Sequence, residues 1–314
     1  MGKPVLFVTG LGNSIERSEN IHVIYDAYQG EKQFISAGNP NFVNVAESGD
    51  YDLMVIDIFP TVKPKRAIMI WHAIQGGKYI GLDDKYTYYK PWYAEKMDRI
   101  VAAGRGGVDM FHRCTGVPRE KILNLGMPRT DRYFMPRNVE PNPFFIGKRV
   151  YLYVPTFRAW HEAEMPDIDW KYIESQLTDD ELLVVKPHPY GKQFELNGFR
   201  RIMEAYKMEP SVNFLYSADV VITDYSSIMF DAYLMRKPVV LFEKQKGYVQ
   251  QRGMYMDYPD QYCSRYATNE QELVRLIRAA EGLTKTELDC VDYVADMCDG
   301  HSCERICKLI NELK

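Results

Sequence analysis

The chain has 314 residues, enough for one or two domains with a full core. Its net charge of −4, with 46% hydrophobic and 26% charged residues, is ordinary for a globular protein and argues against a dedicated nucleic-acid binder. No run of 18 apolar residues occurs, so no stretch reads as a membrane-spanning helix.

The N-terminal residues Met1-Gly2-Lys3-Pro4-Val5-Leu6-Phe7-Val8 read as a first strand without a tripartite secretion signal. Lys3-Pro4 after Gly2 argues against myristoylation. Strands are predicted at Val5–Thr9, Gln33–Ser36, Leu53–Ile58, Ala67–Trp71, Arg99–Ala102 and Ile122–Leu125. Helical spacing marks Ile21–Tyr28, Tyr89–Lys96 and Gly107–Cys114. The alternation implies a parallel α/β sheet. Asn138-Val139-Glu140-Pro141-Asn142-Pro143 then reads as a linker.

The second half restarts with a strand at Arg149–Val154, a helix at Ile168–Leu177 and a strand at Leu182–Lys186. A helix is predicted at Phe194–Tyr206 and a short strand at Phe214–Leu215. Next come a strand at Val220–Ile222, a helix at Ser227–Met235 and a strand at Val239–Phe242. Helices at Glu270–Ala280 and His301–Leu313 complete the series. Two doubly wound halves would carry ligands at the carboxyl ends of their strands.

Six cysteines show no C-x-x-C pair and read as reduced thiols. A zinc site near Cys298, His301, Cys303 and Cys307 is the less favoured reading.

Several motifs fall at predicted strand ends. Thr223-Asp224-Tyr225-Ser226-Ser227 leads from a strand into a helix carrying Asp231, a junction that suits an anion and equally suits a plain helix cap. Lys186-Pro187-His188-Pro189 fixes a histidine between two prolines. Trp71-His72-Ala73-Ile74-Gln75-Gly76-Gly77-Lys78 sets a second histidine ahead of a turn with a lysine. Either histidine suits proton transfer, and either suits a packed structural role. Arg129 and Asp131 lie in Gly126-Met127-Pro128-Arg129-Thr130-Asp131. Arg158 follows Pro155-Thr156-Phe157, and Arg252 sits in Gln251-Arg252-Gly253. Arginine forks match phosphate oxygens, although most surface arginines are merely solvated. Asp299-Gly300-His301-Ser302-Cys303-Glu304-Arg305 opens the last helix, as a phosphate cradle or as a cap.

Taken in order, these motifs resemble the CDP-glycerol glycerophosphotransferases of teichoic-acid and capsule synthesis over about residues 67 to 310. The sharpest pieces are Asp224-Tyr225-Ser226-Ser227 with Asp231, and His188-Pro189. The resemblance implies a GT-B fold: two Rossmann-like domains facing a central cleft. It places an acceptor domain at residues 1–142 and a CDP-polyol domain at 143–314, with the last helix crossing back to the first.

It further implies transfer of a polyol phosphate to a hydroxyl on a lipid-linked acceptor, with release of CMP, at the cytoplasmic membrane face. His72 and His188 are then the catalytic candidates. Arg158, Ser226, Ser227, Asp231, Arg252, Gly300, His301 and Ser302 are donor-binding candidates. Lys78, Arg129, Asp131, Asp224 and Arg305 are further candidates. No cofactor or metal is required, and a magnesium ion loosely held by the diphosphate is left open.

Two features depart from the family pattern. Ala73 replaces the usual Gly, with Ile74-Gln75-Gly76-Gly77-Lys78 behind it, and the chain is short for a polymerase. The mix of aromatics and lysines in Lys85–Tyr93 suits a membrane interface, or ordinary packing. The competing readings are a GT-B sugar-nucleotide glycosyltransferase or epimerase, and a non-catalytic CDP-polyol-binding homologue.

Overall fold

The computed structural model describes residues 2–10, 19–58, 63–78, 96–136, 143–156, 166–189, 194–247, 249 and 253–314. Two compact units divide the chain. The first comprises Met1–Pro136 and Asp292–Lys314, and the second Arg137–Val291. The first stretch of the first unit ends at Pro136, residues 137–142 with most of the expected linker lie outside the described residues, and the chain returns to the first unit from Asp292 onward.

The first unit holds six parallel strands in the order β2-β1-β3-β4-β5-β6. They are β1 (Val5–Thr9), β2 (Lys32–Ser36), β3 (Leu53–Ile56), β4 (Ala67–Ile70), β5 (Arg99–Ala102) and β6 (Ile122–Asn124). β1, β3 and β4 are buried along their whole length, as uninterrupted apolar runs must be when both sheet faces are covered. Around them lie α1 (Glu19–Ala27), α2 (Phe42–Ser48) and α3 (Arg105–Thr115).

The second unit holds six more parallel strands. They are β7 (Arg149–Tyr153), β8 (Glu181–Val185), β9 (Ile202–Glu204), β10 (Val220–Thr223), β11 (Val239–Phe242) and β12 (Tyr266–Ala267). Their order is β12-β11-β10-β7-β8-β9, the doubly wound arrangement whose direction reverses between β7 and β10. Helices α4 (Trp170–Gln176), α5 (Ser211–Ser217), α6 (Ile228–Leu234), α7 (Glu270–Ala279) and α8 (Lys285–Ala295) follow, α8 running into the first unit. Tyr151, Tyr153, Ile222 and Val240 form the centre of this unit's core with Ile173 and Leu273.

The last helix, α9 (Ser302–Leu313), packs on α1 and on the 3-10 turn Pro128–Phe134 within the first unit. Its start is held by Asp131, which accepts the Ser302 and Cys303 amides at 3.0 and 2.7 Å. Two of the helix's unpaired donors are thereby satisfied by one carboxylate.

Two elements differ from the sequence expectation. Phe194–Tyr206 is not a helix. Gly198 takes φ +96, and Ile202–Glu204 pairs with β8 as the edge strand of its sheet. Phe214–Leu215 is not a strand. It lies in α5, which begins behind Pro210 and buries Val212 and Leu215 on one face. The helix expected at Tyr89–Lys96 and the segment Lys85–Tyr93 lie outside the described residues, apart from Lys96.

Gly126 carries φ +88, and a Cβ there would sit 2.2 Å from the Met297 carbonyl oxygen and 2.3 Å from Ser302 Oγ. Replacing it forces apart the turn and the start of α9. Gly126→Ala should destabilise the protein by about 2–5 kcal/mol, from left-handed strain plus overpacking. Thermal melts would show this as a large fall in Tm, and an unchanged Tm would contradict the packing described.

Candidate active site

The first sheet ends in polar turns that need side-chain partners, because its carboxyl-edge amides lie beyond the last ladder bonds. Asp57, just past β3, accepts the Gly10 amide at 2.8 Å and the Thr9 hydroxyl at 2.7 Å. Past β4, Trp71 is buried and meets Phe111 edge-on at 6.3 Å. The His72 ring stacks on Trp71 with centroids 4.5 Å apart. Gln75 stitches this turn to β5. Its Oε1 accepts the Ala103 amide at 2.9 Å, and its Nε2 donates to the Ala73 carbonyl at 2.7 Å.

His72 keeps partial surface exposure, while its Nδ1 is buried with no hydrogen-bond partner among the described residues. Burial, with the nearby Arg129 and Lys78 charges, pushes its pKa down to about 4, against the raising effect of a backbone hydrogen bond with Asp57. The imidazole is therefore neutral at physiological pH and retains a lone pair for a proton.

Arg129 is buried in the Pro128–Phe134 turn. Its guanidinium lies 3.3 Å from the Tyr133 hydroxyl and 3.7 Å from Glu19. Lys78 follows Gly76, whose φ of +117 is open chiefly to glycine. The first unit thus gathers His72, Lys78 and Arg129 into one basic, partly desolvated region.

The start of α9, which carries three of the donor-binding candidates, is built into the first unit. Asp131 accepts the Ser302 and Cys303 amides, and Ser302 is fully buried, its hydroxyl without a hydrogen-bond partner among the described residues. His301 is exposed beside Glu304 at 3.4 Å, and Gly300 (φ +93) packs against Phe134. Arg305 also braces the fold. It grips Asp299 with two nitrogens at 2.8 and 2.9 Å and donates to the Leu125 and Met297 carbonyls. Asp131 and Arg305 therefore lock the terminal helix to the first unit.

In the second unit the motifs meet where the topology reverses. β10, β7 and β8 are neighbours, and their carboxyl ends carry Asp224–Ser227, Val154–Thr156 and Lys186–His188. Asp224 is fully buried, and its Oδ1 accepts the Thr156 amide at 2.8 Å and the Tyr225 amide at 2.7 Å. It is a turn-builder rather than a ligand group. Ser226 and Ser227 are partly exposed, and Ser227 makes no side-chain cap to α6. Asp231, on α6, is buried. His188 is partly exposed between its prolines.

Sequence reasoning missed three features here. Lys186 is buried, with Nζ donating to the Pro187 carbonyl at 2.8 Å and the Lys207 carbonyl at 2.9 Å. Desolvation pulls its pKa down to about 8, partly offset by Glu209. It anchors the backbone that presents His188. Thr156 Oγ1 is buried with no hydrogen-bond partner among the described residues, at the β7 end. Glu243, just past β11, accepts the Tyr225 and Tyr266 hydroxyls, beneath a Tyr258 ring 5.0 Å from Tyr225. A lone acidic residue after an apolar strand was the available signal for Glu243.

Arg158 and Arg252 lie outside the described residues. Among the described residues no group of three or more His, Cys, Asp or Glu could hold a metal ion, and the six cysteines are free thiols.

Two all-parallel Rossmann-type units of six strands each give the chain a GT-B fold. The model of the CDP-glycerol:poly(glycerophosphate) glycerophosphotransferase family matches residues 32–312, and the chain belongs to that family. It is 26% identical over 292 residues to a teichoic acid poly(ribitol-phosphate) polymerase of Bacillus spizizenii, covering 81% of this chain and 45% of the relative. It is 24% identical over 266 residues to a teichoic acid glycerol-phosphate primase of Bacillus subtilis, covering 80% and 69%. The chain thus spans less than half the length of the first relative. The solved wall teichoic acid polymerase TagF superposes with a TM-score of 0.76 at 17% identity, covering 99% of this chain and 89% of that one.

The His72 environment sets a pH dependence. Its folded pKa lies below the value near 6.5 of an unfolded histidine, so the unfolded chain takes up that proton first as pH falls. Stability should drop as pH falls from about 6.5 to about 4, then level off for this group. His72→Gln should flatten that part of a Tm-versus-pH curve. A His72 resonance titrating near 6.5 by NMR would refute the assignment.

Proposed function

We propose that this chain transfers glycerol phosphate, or a related polyol phosphate such as ribitol phosphate, from its CDP-activated donor to a hydroxyl of a lipid-linked cell-wall or capsule acceptor. Family membership supports the reaction class, and the relatives named above act on both polyol phosphates. The observation that carries the reading is the neutral His72 held beside Arg129 and Lys78.

In this reading the acceptor oxygen attacks the phosphorus that bears the polyol. A new P–O bond forms, the bond from that phosphorus to the bridging oxygen breaks, and CMP departs with the electron pair. The acceptor proton passes to His72. Transfers of this kind depend on positioning and charge stabilisation more than on covalent catalysis.

The second unit holds the donor. Ser226 and Ser227 offer hydroxyls to its phosphates at the β7/β10 reversal, where nucleotides bind in doubly wound sheets. His188 stabilises the departing CMP, while Arg158 and Arg252 add positive charge. Buried Asp231 orients a neighbour on the donor side. The chemistry needs no resident cofactor, and any magnesium ion arrives on the diphosphate of the donor. The acceptor's lipid places the work at the cytoplasmic face of the membrane. Among the described residues no helix is long and apolar enough to cross it, so contact with that face would be peripheral.

The test is CMP release by the purified protein, given CDP-glycerol, CDP-ribitol or UDP-sugars and a lipid-linked disaccharide analogue. Acceptor-dependent CMP release from a CDP-polyol is expected. His72→Ala and His188→Ala should each lower kcat by about 10²- to 10⁴-fold with the fold retained. Saturable CDP-polyol binding without turnover would indicate a binding-only homologue, and turnover of UDP-sugars alone would overturn the donor assignment.

A further inference from the structure

Asn20 lies in the first turn of α1 and is buried. Its side chain joins two chain segments that are remote in sequence. Nδ2 donates to the Trp71 carbonyl at 2.8 Å and lies 2.9 Å from Met127 Sδ, while Oδ1 accepts the Arg129 amide at 3.0 Å. One amide thus fixes the backbone on which His72 turns and the backbone that carries Arg129. Those attachment points are 51 and 109 residues away. Asn suits this task because a single planar group offers a donor and an acceptor side by side.

We propose that Asn20 is a positioning residue that sets the spacing between His72 and the Arg129 guanidinium, and through it the basicity of His72. This rests on the reading of His72 as the base. Other groups face the same region. Lys78 lies on His72's own loop, Asp57 at the end of β3 contacts it through its backbone, and Glu19 on α1 sits 3.7 Å from Arg129. Glu19 also lies 3.3 Å from Arg132. The Asp57 carboxylate is engaged by Thr9 and Gly10. Asn20 is the group among these that hydrogen-bonds to the backbone of both segments.

The test compares wild-type protein with Asn20→Ala and Asn20→Ser, serine being too short to span both partners. The His72 Cε1–H resonance, assigned by its loss in His72→Gln, is titrated by NMR, and CMP release is measured alongside. Its midpoint should rise by about one pH unit in both variants, as Arg129 is no longer held close. The kcat should fall about tenfold or more, with donor KM changed less than twofold. A purely structural role would lower Tm while leaving the titration unchanged, and that result would overturn the proposal. A shifted titration with unaltered kcat would uphold the positioning by Asn20 and refute His72 as base. In wild-type protein the Nδ2 protons should be protected from exchange, and free exchange would overturn the proposal whatever the variants do.

Discussion

The structure depends on one demand: the backbone amides at the ends of parallel strands must find partners once the ladder stops. In both units carboxylates meet it in the same way. At the carboxyl edges, Asp57 accepts the amide just past β1 and Asp224 the amide of Thr156 beyond β7. At the amino edges, Asp98 accepts the first amide of β4 at 2.6 Å, and Asp219 that of Val150 in β7 at 2.7 Å. Each carboxylate comes from a strand adjoining the one it serves, and so fixes neighbouring strand ends against each other. Asp57 and Asp224 are fully buried, where a carboxylate is costly unless it is hydrogen-bonded, and there it doubles as the fastening of the sheet.

This fastening separates scaffold from reactive groups. Asp131 and Asp224 stand among the candidate site residues of the sequence, yet each accepts two backbone amides, and Asp57 accepts one amide and the Thr9 hydroxyl. On the proposed reading, the side chains that meet the substrate stand beyond the fastened turns, His72 in one unit and Ser226, Ser227 and His188 in the other. The start of α9 shows the same division. It has the sequence of an anion cradle, and Asp131 supplies a carboxylate to two of its amides, so that this helix terminus is fastened within the first unit.

Most strands were legible because they are short, largely apolar runs bounded by turn residues. β1, β5 and β11 match the residues read from sequence. The Phe194–Tyr206 segment misled because its apolar residues follow helical spacing, while Gly198 and pairing with β8 decide its conformation. Strand-end histidines were visible as local patterns. Asn20, Gln75 and Lys186 were not, because their roles lie in contacts with residues 51, 28 and 21 positions away. A single sequence shows that such residues are polar, but not which distant carbonyl they will meet.

The surroundings of His72 present an apparent conflict. A base needs affinity for a proton, yet Arg129 and Lys78 reduce it. The conflict eases once charge is counted in the loaded state. Burial first, and then the two cations, keep the imidazole neutral while no substrate is bound, and the same cations suit phosphate oxygens. When an anionic group occupies them their field at His72 is offset, and the imidazole regains the share of basicity that those charges removed as the acceptor hydroxyl arrives. On the proposed reading, the base gains strength chiefly when a phosphate is present to be transferred. That coupling requires a fixed distance between guanidinium and imidazole, which is why the backbone tie at Asn20 matters more to the chemistry than its place in α1 suggests.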